Sequence, residues 1–183
     1  MAFLIHLLLA HFLADYPLQS GRLVALKMKR FLGIFIHGLV HLVVLLLILS
    51  PLLHGGRTWG AIVIIYITHN LIDHFKVKFD GSDPRHHRFF YFFDQVLHWS
   101  ILVGSAYYLG DVAPNLSGQF LEWYTHPTLF LYLLLMIVST YFFDVSRYFL
   151  TQNVNKVVYK RDYKFMFING GVVTVAFALL WLM

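Results

Sequence analysis

Four hydrophobic stretches of this chain each carry two metal-ligand residues four positions apart: His11 and Asp15, His37 and His41, His69 and Asp73, Asp94 and His98. Neutral imidazole and carboxylate together suit zinc, iron or manganese. Residues at i and i+4 of a helix project from one side, a turn apart, so each stretch can aim both groups at one place. One ion needs three or four protein ligands. Eight candidates could therefore hold two ions, or one ion with partners that orient its imidazoles. The pattern predicts a divalent-metal site, zinc first, with iron or manganese as alternatives. Asp15 or Asp94, whichever ligation spares, would act as general base. Gln19, Tyr66, Asn70, Tyr91 and Gln95 extend the same polar stripes as supporting donors or substrate contacts.

The elements that must position these groups read as membrane helices. The 183 residues are 59% hydrophobic and only 13% charged, and the mean hydropathy is +0.68. A soluble domain carries roughly twice that charge. A hydrocarbon core of ~30 Å needs about 20 apolar residues per helix, which predicts six spans at about 2–19, 31–53, 58–76, 89–109, 127–149 and 164–183. The expected fold is an all-α polytopic membrane bundle forming one integral membrane domain over 1–183. Residues 1–109 would be its ligand-bearing four-helix part, 110–126 an external loop with room for a short interfacial helix, and 127–183 two further helices. The first segment lacks a basic leader and a small-residue cleavage site, so it reads as a retained span. With no cysteine, disulfides, thiolate metal sites and a cysteine nucleophile are excluded.

Thirteen of the fourteen Lys and Arg residues follow spans one, three or five, and only Arg57 falls in the opposite loops. The positive-inside rule makes the basic side cytoplasmic, with both termini outside an inner membrane. The +5 net charge thereby reflects orientation and anionic headgroups rather than nucleic acid. In this topology all eight ligand candidates fall in the cytoplasmic half of the bilayer. They also repeat: His11 to His69 and Asp15 to Asp73 are 58 residues apart, His37 to Asp94 and His41 to His98 are 57. That spacing points to a duplicated helical hairpin, spans one–two and three–four, with the site at the interface of the repeats.

Other polar residues carry weaker signals. For any one pair alone, helix–helix hydrogen bonding is the simpler explanation; four pairs at one depth argue against it. His6, His54, His74, His86, His87 and His126 lie off the shared face or depth. Asp144 and Arg147, at i and i+3, form either an internal ion pair or a fork for an anionic substrate group, the ion pair being the simpler.

The stretches AHFLADYPLQ (10–19), HGLVH (37–41), HNLIDHFK (69–76) and FFDQVLH (92–98) resemble the bacterial membrane-protein family called domain of unknown function 3307. The resemblance covers roughly residues 3–105. Family members end with a helix bearing an Arg-Pro-Ala-Gly turn, which RYFLTQNVNKVVYK does not show. A looser similarity, in His/Asp-rich spans, leads to membrane-bound metal-dependent hydrolases and implies hydrolysis.

The expected function is a metal-dependent membrane hydrolase acting on a lipid or amphipathic substrate. A di-iron oxidase-type enzyme uses similar clusters. From other classes come a metal- or haem-binding or transport protein, and a scaffold held by polar contacts. Transport needs access from both faces, and the outer halves of the spans are poor in polar residues.

Overall fold

Pro17 has no N–H to continue a helix, and the first helix stops just before it. The computed structural model describes residues 3–79, 84–151 and 159–182. Lys156 lies outside them, and the side chains of Arg85 and His86 are likewise outside what is described. Helix α1 spans Leu4–Asp15. Ser20 then caps α2, Gly21–Lys29, its Oγ accepting from the Leu23 N–H at 3.3 Å. A single extended residue, Arg30 (φ −145°, ψ 140°), separates α2 from α3, Phe31–Ile48.

After a 3₁₀ turn at Ser50–Leu52 come α4, Gly56–Phe79, and α5, Pro84–Leu109. Gly110 follows α5 with φ +56°, the left-handed residue that closes many helices. Helix α6, Gly118–Thr125, is the short helix within the loop. Pro127 opens α7, Pro127–Ile137, at the position where its missing N–H costs nothing. A π turn, Val138–Phe142, joins α7 to α8, Phe143–Thr151, and α9 runs Tyr163–Leu182.

Helices α1, α3, α4 and α5 pack as a bundle; α2 lies on α3, α7 on α1, and α9 on α7 and the π turn. One half of the bundle is apolar, built on Leu7, Ala10, Ala14, Val44, Leu45, Ala61, Ile62, Leu102 and Ala106. The other half holds the polar groups. The outer faces expose Leu47, Val63, Ile67, Val96, Phe167, Val172 and Leu180, a surface too apolar for water and suited to lipid.

Among the described residues, three helices are long and apolar enough to cross a membrane: Phe31–Ile48, Pro127–Leu150 and Tyr163–Leu180. Helices α4 and α5, with 24 and 26 residues, have the length, but their polar faces lower their hydropathy. The expected first span, 2–19, is corrected: α1 has 12 residues, about 18 Å at ~1.5 Å per residue. The basic stretch after it, expected as a loop, is helix α2.

Candidate metal centre

Each ligand pair lies on the bundle-facing side of its helix because apolar residues fill the same face one or two turns away. Leu7 precedes His11 by one turn on α1, and Ile62 and Ile65 precede His69 by two turns and one on α4. The pair on α1 sits at its C-terminal end, the pair on α4 just past its middle, and those on α3 and α5 near the middle. Antiparallel packing brings all four to one level. His37 is fully buried, and His11, His41, His69, Asp73, Asp94 and His98 are 1–6% exposed.

The five imidazoles form one cluster. Ring centroids lie 3.7 Å apart for His41 and His69, 4.4 Å for His69 and His98, and 4.6 Å for His37 and His41. His11 reaches His98 at 5.1 Å and His41 at 5.4 Å. Asp15 Oδ1 accepts from His37 Nε2 at 3.0 Å and His41 Nε2 at 2.9 Å, and its Oδ2 is 3.2 Å from His11 Nε2. Asp73 Oδ2 is 3.4 Å from His69 Nε2 and 3.6 Å from His37 Nε2.

Among the described residues, two groups could hold a metal ion: Asp15, His37, His41 and His69, and then His69, Asp73 and His98, with ligand atoms within 4.8 Å of one another. His11 and Asp94 belong to neither. Two donors on a tetrahedral ion at ~2.0–2.1 Å are roughly 3.3 Å apart, close to several of these separations. Hydrogen bonds have similar lengths, so the orphaned atoms discriminate better. His98 Nδ1–H donates to the Asp94 carbonyl at 2.9 Å, which leaves Nε2 as a lone pair. That Nε2, with His11 Nε2 and His69 Nε2, is buried without an aligned hydrogen-bond partner. Such a group costs about 1–3 kcal/mol unless something satisfies it. A backbone-anchored imidazole with its other nitrogen free is the usual preparation of a metal ligand.

Two lysines that the sequence places among cytoplasmic loop charges belong to this site instead. Lys27 Nζ is 2.6 Å from Asp73 Oδ2, with side chains 10% and 2% exposed. Lys76 Nζ donates to Asp94 Oδ2 at 2.8 Å. The reading of these two as headgroup-facing charges is therefore corrected. A buried carboxylate needs a counter-charge, and α2 exists in part to deliver one. Lys76 carried a signal, since it continues the His69/Asp73 face one turn further. Lys27 carried none, because its position depends on α2 folding back along α3. The backbone at Leu26 and Lys27 rests directly on Gly33, where a Cβ would overlap it.

A family model described as Protein of unknown function (DUF3307) matches residues 3–126. The chain belongs to the DUF3307 family. No curated protein and no solved structure matches it. The DUF3307 match takes in α1 to α6, hence all four ligand-bearing helices and both lysines, and stops before α7. What α7, α8 and α9 add to the site lies outside the family match.

The π turn, α8 and the stretch leading into α9 add the far wall of a cavity of about 520 Å³ in this DUF3307 chain. Asp15, Gln19, Lys27, Lys76, Asp94 and Gln95 line its cluster side, and Tyr141, Val145, Tyr148, Phe149, Tyr159 and Arg161 the other. The π turn inserts one extra residue, which shifts the phase of the side chains after it by about 100°. Phe142 thereby packs edge-on against Phe12 and Tyr16, with Tyr141 beside it at the cavity.

Of the expected supporting residues, Gln19 donates to the His37 ring at 3.2 Å. Gln95 donates to Asp94 Oδ2 at 3.1 Å and accepts from the Tyr16 hydroxyl at 3.2 Å. Tyr91 pairs its hydroxyl with those of Tyr16 and Ser146. Tyr66 and Asn70 do not line the cavity. Asn70 donates to the Tyr66 carbonyl and packs on Gly38, one residue and so ~100° round the helix from His69.

Asp144 and Arg147 form the simple ion pair at 3.4 Å. Arg147 turns from the cavity to Asp162, 2.7 Å away, and covers the Phe165 ring. Its hydrogen bond holds the Asp162 carboxyl below the usual range. Asp144 Oδ2 accepts from the Tyr159 hydroxyl at 2.6 Å, and burial, then this bond, pushes the Tyr159 phenol up. His6 is structural: its Nε2 donates to the Tyr124 carbonyl at 3.0 Å, and its ring packs on Phe130.

Proposed function

We propose that this DUF3307 protein is a membrane metalloenzyme whose His/Asp cluster holds one or two divalent ions, zinc first, and hydrolyses a lipid or amphipathic substrate. The observation that carries the reading is the His98 ring, fixed by its own backbone with Nε2 free and packed beside the His11 and His69 imidazoles. Asp15, His37, His41 and His69 would form one ligand set, and His69, Asp73 and His98 a second. A divalent ion there would supply Lewis acidity toward a carbonyl or phosphoryl oxygen and acidify a water.

The chain's own groups then divide the remaining work. Gln19 orients His37. Asp15 faces imidazoles with both oxygens and suits ligation. Asp94 has Oδ2 held by Lys76 and Gln95 while Oδ1 has no hydrogen-bond partner, so Asp94 is the better general base. Tyr16, Tyr91 and Gln95 form one hydrogen-bonded wall that keeps this carboxylate in place.

In the topology we propose, α3, α4, α5, the α7–α8 stretch and α9 cross an inner membrane, with both termini outside and the cluster toward the cytoplasm. Helix α1 enters from outside and stops at the cluster, and α2 lies at the inner surface. The open cavity beside the cluster then admits substrate from the inner leaflet or the cytosol.

A second reading has a specific support. Lys27 and Lys76 neutralise two of the three carboxylates without any metal, as a hydrogen-bonded core or proton relay would require. The test is hydrolysis by purified protein loaded with zinc, iron or manganese. Micellar carboxyl esters, amides and phosphoesters should include one substrate whose cleavage is lost with chelator and with His69→Ala. A metal-loaded protein inert across the panel removes the hydrolase, and a Soret band in the purified protein would replace zinc with haem.

A further inference from the structure

Three cations reach the cavity beside the cluster from three different segments. Lys27 comes from α2, Lys76 from α4, and Arg161 from the stretch leading into α9. Two of them have carboxylate partners in the cluster, Asp73 and Asp94. Arg161 differs. Its Nη2 donates to the Tyr16 carbonyl at 3.1 Å and its guanidinium lies 5.1 Å from the Tyr141 ring centroid. No carboxylate pairs with it among the described residues. The bond to the Tyr16 carbonyl uses one of the five N–H donors of its fork, and Arg161 lines the cavity.

Charge balance gives the cavity a ligand preference. Without metal, Lys27, Lys76 and Arg161 balance Asp15, Asp73 and Asp94. A divalent ion at the cluster leaves two positive charges in excess beside the cavity, the charge of one phosphate monoester dianion. The hydroxyls of Tyr16 and Tyr159 are already given to Gln95 and Asp144, which leaves the cations to recognise its oxygens. On the remaining wall Val24, Met28, Val77 and Val145 offer apolar contact. The volume, about 520 Å³, falls within the range of small-molecule sites.

We propose that the cavity binds a phosphate monoester headgroup, with Arg161 as its principal fork and Lys27 and Lys76 at its flanks. This rests on the metal centre proposed above and names the substrate class that centre would act on. Arg161 takes the role that the sequence offered to Arg147. It lies beyond residues 3–126, the part of the chain that the family model matches.

The test measures binding, not turnover. Metal content of the purified, zinc-loaded protein is determined first. Calorimetric titrations then follow with inorganic phosphate, with short-chain phosphatidic acid and with short-chain phosphatidylcholine. Phosphatidic acid or phosphate should bind at least tenfold tighter than phosphatidylcholine, the tighter of the two naming a lipid or a soluble source. Arg161→Gln should weaken that binding at least tenfold at unchanged zinc content, and Arg161→Lys less, because it keeps the charge and loses the fork.

If zinc is present and the anionic and zwitterionic lipids bind alike, or Arg161→Gln binds as the wild type does, the headgroup proposal is wrong and the metal centre stands. If no zinc is retained, the charge excess vanishes and both fall.

Discussion

Replacing Lys27 by Met tests whether Asp73 serves a lysine and a metal in turn. The ammonium is 2.6 Å from Asp73 Oδ2 and the pair is nearly sealed from solvent. Removing one partner of a buried pair typically costs 3–5 kcal/mol, because the other charge is left uncompensated. Met keeps most of the packing of the lysine stem, so the loss is electrostatic. At about 2–4 °C per kcal/mol for a chain of this size, the chelator-stripped variant should melt roughly 6–20 °C below the stripped wild type.

The same oxygen faces His69 Nε2 at 3.4 Å and His37 Nε2 at 3.6 Å, so a metal in the second donor group would lie against the ammonium. Two unit charges 4 Å apart interact by about 4 kcal/mol at an effective dielectric of 20, and a divalent ion is repelled more. Lys27→Met should therefore bind zinc at least tenfold tighter than wild type, and zinc should recover half or more of the lost melting temperature. Intrinsic-fluorescence melting in detergent, with chelator and with zinc, reads both numbers. An equal gap under the two conditions would refute the sharing of Asp73.

Gly33→Ala should destabilise by about 1–3 kcal/mol, since its Cβ meets backbone of α2 that cannot yield, while Gly21→Ala, with nothing within 4 Å, should be near neutral; chemical denaturation compares them. His41→Ala should lower bound metal at matched folded protein, whereas His6→Phe and His126→Ala should leave it unchanged, as measured by elemental analysis. Single cysteines placed in this cysteine-free chain should label from the cytoplasm within 20–30, 77–88 and 151–163 and from outside within 110–126; cytoplasmic labelling of 110–126 would reverse the orientation.

Much of the site was legible because helical geometry ties sequence spacing to direction. Once a stretch is helical, His69 and Asp73 must share a face, and the apolar residues around them decide that the face is internal. The five histidines meet for that reason. Tertiary placement was not legible in the same way. The GRLVALKMK stretch is too short and too charged to read as a span, and nothing local says that it folds onto Gly33 and sends Lys27 inward. Asn70 looked like part of the polar stripe but is a residue off its phase. The spacing from Asp144 singled out Arg147 in the sequence; only the path of the chain around Asp144 and Asp162 sends Arg147 away from the cavity and Arg161 into its lining.

The central claim is that these imidazoles and carboxylates bind a metal, and X-ray absorption at the zinc edge on reconstituted protein tests it most directly. The account predicts a first shell of nitrogen and oxygen at ~2.0–2.2 Å, with imidazole scattering that diminishes in His69→Ala, the ligand common to both donor groups. Zinc retained at full stoichiometry in His69→Ala with an unchanged spectrum would place the ion elsewhere and contradict the account, as would a wild-type protein that binds none.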